Sequence, residues 1–350
     1  MNIRNYGIDL LRIISIIMIT ALHIIVPGIG QYAFYNGTPS IKIIYAICIC
    51  GVNCFLLISG YVNLYSKFKL SRIIKILLEA LFYNLVLTII ISIINDTLTV
   101  QRIIESFDIL GNSNWWFLRA YLILFIVMPI INEGIKNSNK SILIIVVLLL
   151  IFFISILGVI KGDVFYSGDG YSALWFIVVY VIGACIKKYE NIITIKRTNL
   201  ILIFTISTII TIVSFYIIYN YNCTHIETYI PENLLYQYIS PTILMNSVAL
   251  LLIFKDVVFA EKVNKIIKFA TPSIFSVYLF QCQHLIYKYY FPDRFSFLNT
   301  YNNKLFIYIP LLAIFITILL ILLDQIRIVF FKICKLNHLY NYIDSKINIK

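Results

Sequence analysis

Ten stretches of this chain are apolar for long enough to cross a bilayer as helices, which takes about 20 residues each, and few folds accommodate such a pattern. The windows run at 8–27, 41–62, 73–94, 115–132, 141–160, 171–187, 199–219, 237–254, 270–290 and 305–326. Lipid offers no partner to backbone N–H and C=O groups, so spans of this length fold as helices. Charged residues make up 13% of the chain, against about a quarter in soluble domains. The longest gaps, Asn95–Asn114 and Phe291–Lys304, are too short for a separate domain. The expectation is an all-α integral membrane protein of about ten transmembrane helices. It forms a single polytopic domain over residues 1–350, with a core at 8–326 and a short tail at 327–350.

Asp9 and Arg12 interrupt the first window, and Pro27-Gly28 gives no small-x-small cleavage site. The first span is therefore expected to stay as a helix rather than act as a cleaved signal peptide. With the N-terminus in the cytosol, 20 of the 28 lysines and arginines fall in cytosolic segments. Six lie outside (Lys42, Arg102, Lys161, Lys288, Arg294, Lys304), and Arg12 and Arg119 lie within spans. That asymmetry follows the positive-inside rule and places both termini in the cytosol. It also accounts for the net charge of +12 without nucleic acid, because the basic residues occupy short loops between spans. The seven cysteines, Cys48, Cys50, Cys54, Cys185, Cys223, Cys282 and Cys334, lie mainly in or near apolar spans and show no CxxC spacing. Neither a metal site nor a disulfide framework is expected.

Within the first span, Asp9, Arg12 and His23 stand out because ionisable groups inside a membrane are costly and tend to mark chemistry or transport. Arg12 and His23 are eleven positions apart, three helical turns plus about 20°, so they share a face about 16 Å apart along the axis. Asp9 lies one turn before Arg12 and can pair with it. On the spacing alone, a packed polar histidine and a catalytic one both remain open. The stretch Lys67, Lys69, Arg72, Lys75 can be a topology signal or a cytosolic anion site, and Glu79 can pair with Lys75. The external segment IKGDVFYSGDGY at 160–171 can be an interfacial turn or a tyrosine-bearing sugar contact. Arg119 needs a partner within its span, and the sequence identifies none.

Further polar groups punctuate the spans. Gly51 to Tyr61 carries Asn53, Ser59 and Tyr61 among apolar residues, with glycines that allow close helix approach. Trp116-Phe-Leu-Arg-Ala-Tyr121 is followed by Pro129 and Asn132, Trp175-Phe176 by Tyr180 and Gly183, and Ser276-Val-Tyr-Leu279 by Gln281 and His284.

In this order the motifs resemble the acyltransferase-3 family of bacterial membrane acyltransferases, and more closely its polysaccharide O-acetyltransferase branch. The resemblance runs from Asp9 to His284. It rests most firmly on the arginine-to-histidine spacing of Arg12 and His23, then on Phe55 to Tyr61, Arg72 and the Trp116-Phe117 opening of the fourth span. The family's tandem arginine at the start of the third span is one arginine here, with Lys75 nearby, and the double-glutamate signature of another branch is absent. The histidine usual after the Tyr-Leu pair is Gln281, so His284 is assigned no catalytic role.

The resemblance implies O-acetyl transfer at the bacterial plasma membrane, with acetyl-CoA as co-substrate on the cytosolic side and no tightly bound cofactor. It also implies a cell-envelope or extracellular polysaccharide, or its lipid-linked precursor, as acceptor. A hydroxyl attacking a thioester is helped by a base, and histidine titrates nearest neutrality. The candidate catalytic residues are His23, Arg12 and Asp9, with Arg12 and Arg72 meeting the donor. Asn53, Ser59, Tyr61, Trp116 and Tyr121 are candidate liners of a polar path between donor and acceptor. The contrasting reading is a transporter of polysaccharide or lipid-linked sugar, in which the same groups line a path and no acyl transfer occurs. A structural subunit of an envelope-synthesis complex would leave the Arg12 and His23 spacing without a role.

Overall fold

The computed structural model describes residues 4–30, 32–111, 114–225 and 229–346, and no strand occurs among them. Among the described residues, eight helices are long and apolar enough to cross a membrane: Tyr6–Ile29, Pro39–Asn63, Ser71–Ile94, Trp116–Asn137, Lys140–Lys161, Arg197–Thr224, Leu234–Phe254 and Leu305–Ile333. The protein is an all-α integral membrane protein. The windows at 171–187 and 270–290 are also helical but are built differently.

Helix α1 (Tyr6–His23) starts at Asn5, whose side chain accepts from the Ile8 N–H and satisfies one of the free donors of the first turn. Its end loosens into a π turn, Ile24–Ile29, containing Pro27, which supplies no N–H to the ladder. The carbonyls of Pro27 and Gly28 accept instead from Asp293 and Phe295 N–H. The second span is two helices, α2 (Pro39–Cys48) and α3 (Gly51–Asn63). Then come α4 (Ser71–Ile94), α5 (Trp116–Asn137) and α6 (Lys140–Leu150), which continues as a π turn.

Helix α7 (Ala173–Lys188) has 16 residues, about 24 Å at 1.5 Å each, shorter than the roughly 30 Å hydrocarbon core. It sits inside the bundle, with Trp175, Phe176, Val178, Val179 and Tyr180 inaccessible to solvent. Gly60 and Gly183 let α3 and α7 touch backbone to backbone. A Cβ on Gly60 would lie 2.1 Å from the Tyr180 carbonyl oxygen, and one on Gly183 would lie 2.2 Å from that of Leu57. Glycine is required at both contacts.

After α8 (Arg197–Thr224), α9 (Pro241–Phe254) and the short amphipathic α10 (Glu261–Ala270), the window at 270–290 is a broken helix. Its regular part, α11, runs only over Ile274–Gln281 and stops at Cys282 and Gln283 before helix resumes. The Gln283 side chain makes the break sustainable. Its Oε1 accepts from the Leu285 and Ile286 N–H groups, and its Nε2 donates to Thr88 at 3.2 Å and Asn84 at 3.4 Å. Irregular backbone at membrane depth survives only where protein surrounds it in this way, and Gln283 is fully buried.

The last span, α12 (Leu305–Ile333), continues past 326 before the tail helix α13 (Leu336–Lys346). Arg327, assigned to the tail on sequence, is therefore buried in the bundle. It grips both oxygens of Asp324 at 2.7 Å and donates to Glu79 of α4 at 2.8 Å, while the Tyr83 hydroxyl donates to Asp324 at 2.6 Å. Lys75 adds a looser contact to Glu79 at 3.9 Å.

One end of the bundle gathers the basic loops with the described residues at the start of α1 and in α13. Lys188 donates to the carbonyls of Ile135, Lys136 and Ser138, Asn5 to that of Lys255, and Ser71 to Asp344. We refer to this end as the basic face. His23 lies toward the opposite end, beside the 291–295 turn.

Candidate active site

His23 sits where α1 meets the break after α11. Its Nδ1 is 2.8 Å from Gln281 Oε1 and its Nε2 is 3.9 Å from Cys282 Sγ. Tyr287 and Phe291 approach the ring edge-on, each with centroids 6.2 Å away. The side chain retains partial access to solvent.

The hydrogen-bond chain behind His23 fixes its tautomer, starting from a group that can only accept. The Thr20 hydroxyl donates to the Ile16 carbonyl at 2.9 Å. Its oxygen therefore accepts from Gln281 Nε2 at 2.8 Å, and Thr317, 3.2 Å away, is the donor of the Thr20–Thr317 contact. With its amide nitrogen committed to Thr20, Gln281 presents Oε1 to His23, so Nδ1 carries the proton. Nε2 is left with the lone pair. A thiol 3.9 Å away is a weak partner for it, so a hydroxyl brought to this position can compete.

A cavity of about 440 Å³ leads from the basic face toward this histidine. Its lining includes the charged or polar Arg12, Arg72, Lys75, Glu79 and Asn63 together with Ser59, Tyr121, Phe117, Phe125, Ile16, Ile19 and Tyr278. The walls are mainly apolar, with a polar pair formed by Ser59 Oγ and Tyr121 Oη at 3.3 Å. The cavity is thus mainly apolar, with charged side chains and this one hydroxyl pair set into its wall. Ile19 lines the cavity, and His23 lies four residues farther along α1, about 6 Å at the helical rise.

The sequence candidates fall into two groups. Arg12, Arg72, Ser59 and Tyr121 line the cavity. Asp9 stands behind Arg12, accepting from it at 2.6 Å and from Arg4, and is buried. Asn53, Tyr61 and Trp116 do not line this cavity. Asn53 is fully buried and joins three elements, donating to the Tyr238 carbonyl at 2.8 Å and accepting from Trp175 Nε1 at 3.0 Å. Tyr61 donates to Glu190 in the loop after α7. Burial pushes the Glu190 carboxyl up, but hydrogen bonds from Lys187 and Tyr61 outweigh it and hold the group below its ordinary value. Trp116 contacts Tyr171 at 4.4 Å and stacks on Tyr238 at 5.8 Å. Arg119 Nη1 donates to the Leu110 carbonyl at 3.2 Å.

Residues 5–324 match the family profile described as an acyltransferase domain, Acyl_transf_3. The chain belongs to the acyltransferase-3 family. No curated protein and no solved structure matches it. The match covers nearly all of the bundle, from the cap of α1 to Asp324, so the cavity and the His23 chain both belong to the acyltransferase domain.

Sequence reasoning on this acyltransferase missed Thr20, Thr317 and Gln283, and saw Gln281 only as the replacement of a family histidine. A signal was present, because all four are hydrogen-bonding side chains within apolar spans. Each span taken alone gives no reason to connect them.

Proposed function

We propose that the protein is an O-acetyltransferase of the bacterial plasma membrane. It moves an acetyl group from acetyl-CoA to a hydroxyl of a cell-envelope or extracellular polysaccharide, or of its lipid-linked precursor. The observation that carries this reading is the chain Ile16–Thr20–Gln281–His23, which leaves Nε2 as an acceptor one helical turn beyond Ile19 in the wall of a cavity that Arg72 and Lys75 also line. In the reaction the acceptor hydroxyl gives its proton to His23 Nε2 while its oxygen attacks the thioester carbonyl. The tetrahedral intermediate then collapses with loss of the CoA thiolate, and His23 returns the proton to that sulfur. The products are a sugar acetate and CoA–SH.

Arg12 and Arg72 supply positive charge for the donor, and Asp9 holds Arg12 in place. No metal or tightly bound cofactor takes part in this scheme. The mainly apolar wall suits the uncharged pantetheine arm. Donor access from the basic face, which this reading makes cytosolic, matches the compartment where acetyl-CoA is made.

The test uses membrane vesicles with the basic face outward, labelled acetyl-CoA and the native envelope glycan. Wild-type protein is expected to place label in alkali-labile sugar esters and release CoA thiol in equal amount. Folded protein that leaves the glycan unlabelled with both substrates present contradicts the reading, and export of glycan without ester formation would assign the bundle to transport. A second expectation concerns Gln281. Gln281→Leu should lower kcat roughly 100-fold, the cost of losing orientation at a reacting group, with the KM for acetyl-CoA unchanged. Wild-type kcat in this variant would remove the orienting role.

A further inference from the structure

A second cavity, of about 270 Å³, adjoins the first at the basic face and shares Asn63, Arg72 and Phe125 with it. The two differ in chemistry. The first is a mainly apolar pocket running into the bundle, whereas the second lies between the 64–70 loop and the last turns of α5 and carries Lys67, Arg72 and Lys136 with a single carboxylate, Glu133.

The frame of this second cavity is rigid. Asn132 donates to the Asn63 carbonyl at 3.1 Å and accepts from Tyr180 at 2.8 Å, joining α3, α5 and α7. Lys188 donates to the Ile135 and Lys136 carbonyls in the last turn of α5 and to that of Ser138 just past it, at 2.6–3.0 Å, which ties down the turn that bears Glu133 and Lys136. Arg72 is aimed by two neutral oxygens, Asn63 Oδ1 at 2.9 Å and Ser66 Oγ at 3.5 Å. None of the ion pairs found among the described residues includes it. Glu133 is already paired with Lys136 at 2.8 Å, so the cavity has an excess of positive charge. Tyr65 and Phe68 in its wall offer flat faces.

We infer that this second cavity binds the phosphorylated nucleotide end of the acyl-CoA donor, while the pantetheine arm passes Arg72 into the first cavity. The inference rests on the acetyl-CoA reading above. Coenzyme A is a bulky, multiply phosphorylated adenosine joined to a thin uncharged arm, and the two cavities repeat that division. Lys67, Arg72 and Lys136 meet phosphate, the aromatic side chains meet the base, and Arg72 stands at the junction. An anionic lipid headgroup would offer similar phosphate chemistry to the lysines, without a use for the connection to the first cavity.

The experiment compares acetyl-CoA with acetyl-pantetheine, which carries the same thioester without the nucleotide, on wild type, Lys67→Ala/Lys136→Ala and Lys67→Glu/Lys136→Glu. The kcat/KM preference for acetyl-CoA over acetyl-pantetheine should fall roughly tenfold in the alanine pair, the scale of lost charge-assisted contacts, and further in the glutamate pair. Adenosine 3′,5′-bisphosphate should compete with acetyl-CoA on wild type and lose potency on both variants. A preference ratio equal to wild type in both variants overturns the inference, whether the phosphate bound there belongs to a lipid or to nothing. General structural damage lowers both donors together and leaves that ratio in place, so it also counts against the proposal. Failure of wild type to use either donor would instead overturn the acetyl-CoA reading itself.

Discussion

Replacing His23 with alanine will lower acetyl transfer by about two to four orders of magnitude, the range supplied by a positioned general base. The loss should fall on kcat, because His23 lies beyond the cavity lined by Arg12 and Arg72 and donor binding does not need it. The variant should still fold. His23 makes one strong hydrogen bond, to Gln281, and it retains partial solvent access. Initial rates at saturating acetyl-CoA, in membranes with matched amounts of protein, check the prediction. His23→Gln sharpens it, since a glutamine can keep the contact to Gln281 but cannot take a proton. It should be as inactive as the alanine variant, whereas a merely structural histidine would be rescued.

Arg327→Met will produce the largest loss of stability. Arg327 is 3% exposed, and its guanidinium is the counter-charge for both Asp324, at 0%, and Glu79, at 4%. Methionine keeps much of the volume but leaves two carboxylates buried without their counter-charge, Asp324 keeping the hydrogen bond from the Tyr83 hydroxyl at 2.6 Å and Glu79 a loose contact with Lys75 at 3.9 Å. Breaking a buried pair from one side costs roughly 3–5 kcal/mol, a large fraction of the stability of most proteins. The expected outcome is a marked drop in the thermal midpoint in detergent, with little folded protein recovered. Arg327→Met combined with Glu79→Gln and Asp324→Asn should recover much of the loss, because the uncompensated charges go with it. A triple variant no better than the single one would place the cost in packing around Phe331, over which Arg327 also lies at 5.3 Å.

The spans were legible because apolar length is a direct property of the sequence, and the pairs Asp9–Arg12 and Lys75–Glu79 because helical spacing sets them. What the sequence left hidden came from contacts between distant residues. Asn53 and Tyr61 read as path liners on α3, yet their partners, Trp175, Tyr238 and Glu190, lie more than 100 positions away and hold them in the framework. The break after α11 is disguised by apolar residues on both sides, and only the fold supplies Asn84 and Thr88 to Gln283. Arg327 read as part of a basic tail because nothing near it in sequence shows that α12 continues past it, beside Glu79 of α4. At the site, Arg12 and His23 were visible as a spacing. The use of His23 Nε2 was not, because it depends on a chain running from Ile16 through Thr20 to Gln281 on another helix.

The most direct test of the account counts both products of one reaction. Membranes containing wild type or His23→Ala at equal levels receive labelled acetyl-CoA and the native glycan, and free CoA thiol and alkali-labile sugar acetate are measured together. The account predicts one thiol per acetate with wild type and neither above background with His23→Ala. Equal acetate from the two proteins would contradict His23 as the base, and thiol release without acetate from wild type would contradict transfer to a glycan.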